Sequence, residues 1–108
     1  MEYGIYQGTT PVISVKLSTE LDLSSFKEVW VTFKMPESGR IKTITMDRLE
    51  IDNDEKIISL ALTQEETLAF TEKLVKVQVR LLNDSGAAYA SSETCITIGS
   101  VLDRRVME

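Results

Sequence analysis

Leu62–Gly86, LTQEETLAFTEKLVKVQVRLLNDSG, carries three signals in succession: a capped helical turn, an alternating strand and a hairpin turn. Thr63 and Glu66 stand at capping-box spacing. There the Thr hydroxyl accepts from the N3 amide while the Glu carboxylate reaches back to the cap amide. A short helical turn through about Leu68 is predicted. From Lys73 the pattern alternates strictly, with Val75, Val77, Val79 and Leu81 on one face and Lys76, Gln78 and Arg80 on the other, which predicts a half-buried strand. Asn83-Asp84-Ser85-Gly86 then supplies side chains that tolerate turn dihedrals and a Gly free to take positive φ, so the next segment folds back antiparallel.

Working outward, the same alternation marks a second confident strand at Phe26 to Lys34, with Val29, Val31 and Phe33 on one face and Trp30, Thr32 and Lys34 on the other. β-Branched and aromatic residues suit such a pleated surface. Val12 to Leu17 is a third strand, preceded by Ile5 to Gln7 and by Gly8-Thr9-Thr10-Pro11, which interrupts the pattern; Pro11 fits a strand start or an edge. Leu21 and Leu23 sit in a polar loop as plugs for one end of a core. Arg40 to Met46 and Leu49 to Ile51 read as short, polar edge strands. Asp52-Asn53-Asp54-Glu55 is a turn, and Lys56 to Leu62 leads back to the opening stretch. Ala87 to Ile98 reads as one long final strand, whose Ala88, Ala90 and Ser92 fit a tight spot opposite larger partners. These counts give about seven strands with regular turn signals, an antiparallel sandwich. No helical pattern of about ten residues recurs between strands, which excludes a parallel α/β fold. The expected organisation is a β-sandwich domain over 1–99 and a tail or linker over 100–108.

Composition narrows the function. A chain of 108 residues is one domain with one modest core. Its net charge of −5 disfavours nucleic acid and anionic membrane alike. No apolar run has the length of a membrane span or a signal peptide, so the chain is expected to be made and left in the cytoplasm unless built into a particle that leaves by lysis. Cys95 is the single cysteine, so packing rather than an intrachain disulfide holds the fold.

The chain has no His, which removes the commonest general base, the imidazole metal ligand and the Ser-His and Cys-His dyads. Cys95 lies in a strand pattern without a partner base and reads as structural. Asp52, Asp54 and Glu55 match no EF-hand loop and read as a turn. No catalytic, cofactor or metal site is therefore expected. Trp30 has two readings: on the face opposite Val29, Val31 and Phe33 it points outward as a partner anchor or sugar platform, or it lies beneath the N-terminal segment or a loop. Val101, Leu102, Val106 and Met107 find no place in the core and are candidate interface residues with Trp30.

Motif order adds a resemblance. Gln7-Gly8-Thr9, Leu21-Asp22-Leu23-Ser24 leading to Val31-Thr32-Phe33-Lys34, Leu60 to Thr67, and Val77-Gln78-Val79-Arg80-Leu81 before Asn83-Asp84-Ser85-Gly86 together resemble the N-terminal domain of phage baseplate upper proteins. Similar modules occur in small prophage proteins of Gram-positive bacteria. The resemblance implies an immunoglobulin-like sandwich with a virion structural role, attaching tail or baseplate parts to one another or self-associating into an oligomer, with no catalytic residues. It departs from the family where Thr71-Glu72-Lys73 replaces a Pro-Gly entry, and in lacking the stalk that follows the family's domain. The expectation that follows is a non-catalytic docking module whose tail is removable without loss of fold. An alternative from another class is a carbohydrate-binding module stacking sugar on Trp30 with Tyr3, Tyr6 or Tyr89.

Overall fold

The computed structural model describes residues 3–18 and 21–107. Among them are nine strands: β1 (Tyr3–Tyr6), β2 (Val12–Lys16), β3 (Phe26–Lys34), β4 (Ile41–Ile44), β5 (Glu50–Asp52), β6 (Ile57–Ala61), β7 (Leu74–Asn83), β8 (Ala88–Ala90) and β9 (Thr94–Gly99). One short α-helix, α1 (Gln64–Leu68), joins β6 to β7, and 3-10 turns lie at Leu23–Ser25 and Met46–Arg48. The larger sheet runs β1-β9-β7-β3-β4 with β8 also on β7, and the smaller runs β2-β6-β5.

The alternation in β3 and β7 builds the centre of this sandwich. In their antiparallel register Val29 faces Leu81, Val31 faces Val79 and Phe33 faces Val77, and all six are buried. The smaller sheet covers them with Ile13, Ile58 and Leu60, which are equally buried. Phe70 closes one end, its ring 5.5 Å from that of Phe33. At the other end Leu23 is buried, its amide donating to Asn53 Oδ1 at 2.8 Å. Leu21 does not join it as a second plug; it is exposed.

α1 has the predicted capping box, Thr63 accepting from the Glu66 amide and Glu66 from the Thr63 amide. The helix carries the chain from the smaller sheet to the larger. Beside α1, the Gly8-Thr9-Thr10-Pro11 break takes the chain the other way, from β1 in the larger sheet to β2 in the smaller, with Gly8 at φ +74°. The Thr71-Glu72-Lys73 segment before β7 is anchored by Glu72, whose carboxylate accepts from the amides of Glu37 and Ser38 at 2.8 and 2.9 Å.

Three expectations need correction. The strands number nine, partly because Ala87 to Ile98 is not one strand. Ala90 pairs with Arg80 and Thr94 with Val77, so Ser91, Ser92 and Glu93 stand against only Gln78 and Val79, and the extra residue bulges between the two strands. Ser91 holds the break: its Oγ accepts from the Val79 amide at 2.9 Å and its carbonyl from Gln78 Nε2 at 2.9 Å. Second, one pairing is parallel, β1 with β9, from Tyr3 beside Ile96 to Tyr6 beside Gly99. Third, Ala88 and Ala90 occupy no tight spot; both are exposed, opposite Leu82 and Arg80.

Candidate functional site

The tail beyond β9 turns back across the end of the sandwich that carries α1. Gln7, just past β1, is only 3% exposed, so both ends of its amide need partners. Its Nε2 donates to the Phe70 carbonyl at 2.7 Å, and its Oε1 accepts from Arg104 Nη1 at 2.9 Å. Arg104 Nη2 donates to the Leu68 carbonyl at 2.8 Å, at the C-terminal end of α1, where carbonyls lack intrahelical donors. Three residues beyond Arg104, the Gln64 side chain grips one residue's main chain by both ends: Gln64 Oε1 accepts from the Met107 amide at 2.8 Å and Gln64 Nε2 donates to the Met107 carbonyl at 3.0 Å. Within the tail, Arg105 and Asp103 pair at 2.6 Å.

Of the tail residues singled out from the sequence, Val101 is half-buried, in a cleft also lined by Gly8, Gln64, Val106 and Met107. Leu102 is fully exposed and Met107 is 80% exposed. The tail is thus held by polar contacts while Leu102, Met107 and, less fully, Val106 face water. Gln7, Gln64 and Arg104, which fasten it, carry no sequence signal beyond a Gln beside a strand and an Arg in an unpatterned segment.

Trp30 lies on the outer face of the larger sheet, 40% exposed. Among the described residues no loop covers it, yet it is not a bare platform. The Arg80 guanidinium sits over the ring, 5.7 Å from its centroid, and Nε1 donates to Glu28 Oε2 at 3.1 Å. Ala88 and Leu82 line a shallow cleft of about 120 Å³ beside the pair. The aromatic residues proposed to share a sugar with Trp30 stand elsewhere. Tyr6 is on β1, with β9 and β7 between it and β3; Tyr89 meets Phe26 edge to face at 5.9 Å. The side chain of Tyr3 lies outside the described residues.

A third cluster ties α1 to the turn after β4. Glu66 accepts from Arg48 Nη1 and Nη2 at 2.6 and 2.7 Å, with Lys42 Nζ 3.7 Å away. The Arg48 hydrogen bonds, with help from the Thr63 amide, hold the Glu66 carboxyl down at about 2 against a partial desolvation that acts the other way. Arg48 also donates to the Ala61 carbonyl at 3.0 Å, so the cluster is a brace between elements. Asp52 is engaged in its own turn, accepting from the Asp54 and Glu55 amides at 3.1 Å. Among the described residues, no group of three or more His, Cys, Asp or Glu is placed to hold a metal ion, and no helix is long and apolar enough to cross a membrane. Cys95 is half-buried, in register with Lys76.

The fold defines this chain as a small all-β, two-sheet sandwich. It matches no protein-family model and no curated protein.

Proposed function

We propose that this chain is a non-catalytic structural protein of a phage or prophage particle, a tail or baseplate module that docks onto neighbouring subunits and resides in the virion after synthesis in the host cytoplasm. One observation carries the reading: a C-terminal segment fixed to the domain by its polar groups and presenting Leu102 and Met107 to the outside. An apolar side chain displayed on an anchored strap is available to a partner's pocket. The order of motifs in the sequence narrows the partner to other tail or baseplate proteins. Carbohydrate binding through Trp30 has less support, because Arg80 lies over its ring and the described tyrosines do not converge on it.

The test is composition. Particles released by prophage induction from the source strain are purified by density and their proteins quantified by mass spectrometry. The chain is expected at a fixed stoichiometry to other tail proteins; its recovery only from the unsedimented lysate would reject the reading.

A further inference from the structure

We propose that the outer face of the larger sheet, centred on Trp30 and Arg80, docks an acidic segment of a partner protein, which sets a carboxylate on Arg80 and an apolar side chain in the cleft beside it. This gives the docking role proposed above a partner chemistry and rests on that reading. The registers of β3, β7 and β8 lay the site out in two rows. Trp30, Arg80 and Ala90 stand side by side in one, and Glu28, Leu82 and Ala88 in the next. Ala88 and Ala90 are exposed and end at Cβ, while Trp30, Arg80 and Leu82 rise further from the sheet; the step between them is the cleft of about 120 Å³. Trp and Arg beside apolar surface are the side chains that most often dominate the affinity of an interface.

Charge selects the occupant. Among the described residues the Arg80 side chain makes no ion pair and no hydrogen bond, and its contact is the face of Trp30. The carboxylate nearest in register, Glu28, accepts from Trp30 Nε1 instead. Contact with the ring restrains the guanidinium, so its planar set of donors loses less freedom when a carboxylate arrives. Four residues back along β7 stands Lys76, with Lys34 directly opposite it on β3. Of these two, among the described residues, only Lys76 has a carboxylate in reach, Glu93 at 3.7 Å. The outward side chains of the two central strands therefore include three cations and one carboxylate, in a chain whose net charge is −5. Cations set opposite one another are unfavourable within the sheet and favourable to an arriving anion. A polyanionic surface also meets the acidic remainder of the chain and is repelled by it, whereas a short acidic segment meets this face alone.

Trp30 is the single tryptophan of the chain, so its fluorescence reads the site directly. The wild-type chain selects binders from a random peptide library, and the selected peptide is titrated against the wild type, Arg80→Gln, Lys34→Gln and Arg105→Gln while Trp30 emission is followed. Arg105→Gln removes the same charge from the tail, where Arg105 pairs with Asp103. The expected consensus joins Asp or Glu to an aliphatic or aromatic residue, and binding changes Trp30 emission to saturation. Affinity is expected to fall about tenfold in Arg80→Gln and about threefold in Lys34→Gln, and to hold in Arg105→Gln. Both Arg80 and Lys34 are exposed, so these variants are expected to melt with the wild type, which separates loss of contact from loss of fold. No consensus, a basic consensus, binding that leaves Trp30 emission unchanged, equal losses in the two arginine variants, or the same response to inorganic phosphate alone would overturn the assignment. None of those results bears on whether the chain belongs to the particle, which composition decides.

Discussion

Glu66 shows how one side chain joins three elements. It caps α1, receives both nitrogens of Arg48 and faces Lys42. Its carboxyl titrates at about 2 in the folded chain against an ordinary 4.5, so the folded state favours the ionised form. The stability this contributes is complete above pH 4.5 or so, declines as pH falls below that value, and is gone once pH has passed through 2. Glu66 is 10% exposed and Arg48 36%, so part of the shift is screened and the contribution is of order 2 kcal/mol at neutral pH. Glu66→Gln is expected to lower stability by about that amount at pH 7 and to flatten the acid limb between pH 5 and 2, in urea melts taken across that range. Of this cluster, the sequence displayed only the Thr63–Glu66 spacing. Arg48 lies 18 residues from Glu66, and nothing local to either residue announces the other. The buried Gln7 was invisible for the same reason: a polar residue is accepted in the interior only because Phe70 and Arg104 meet it, and both are distant in sequence.

At the scale of elements, legibility followed periodicity. β3, β7 and α1 were readable because alternation and capping are local consequences of which face is buried and which amides lack partners. The hairpin from β7 to β8 was readable through Gly86, which adopts φ +90° with open space where a Cβ would stand. Gly86→Ala thus meets no clash and isolates the backbone cost of the left-handed region, about 1–2 kcal/mol. Chemical denaturation is expected to show that loss, and Gly86→Asn a smaller one, since Asn tolerates this conformation better. The bulge at Ser91 was hidden, because Ser-Ser-Glu-Thr continues an extended pattern and only the Ser91 contacts to Val79 and Gln78 reveal where the register slips. On the same sheet, Trp30→Ala is expected to leave the fold within about 1 kcal/mol of wild type, because an exposed cation–π contact contributes roughly 0.5–1 kcal/mol. A larger loss in thermal melts would mean that Arg80 and Trp30 brace the sheet rather than decorate it.

For the whole molecule, the expectation that the tail is removable without loss of fold meets a structural obstacle. Arg104 supplies the donor to the buried Oε1 of Gln7, and taking it away leaves that oxygen without it. Deleting residues 100–108 is expected to lower stability by about 1–3 kcal/mol. Arg104→Ala should account for most of the loss, while the exposed Gln64 contacts to Met107 add little. Calorimetry on the two variants checks this; equal melting of wild type and truncation would show that water replaces Arg104 without penalty. Assembly is therefore better probed by Leu102→Ser than by truncation, which disturbs the fold and the display together. The sandwich class was readable because it follows from counting local elements. The partners of each strand were not, since choosing among edges depends on contacts between residues far apart in the chain.

The parallel pairing of β1 with β9 has a mechanical consequence. The chain enters β1 beside Ile96 and leaves β9 beside Tyr6, so tension between the ends of the domain draws these two strands past each other along their length. Under such a pull the interstrand bonds bear load together, in shear, and must fail nearly at once; an antiparallel hairpin pulled from its open end would release them one after another. If the domain does join two bodies, as proposed above, this wiring would let it carry load between them.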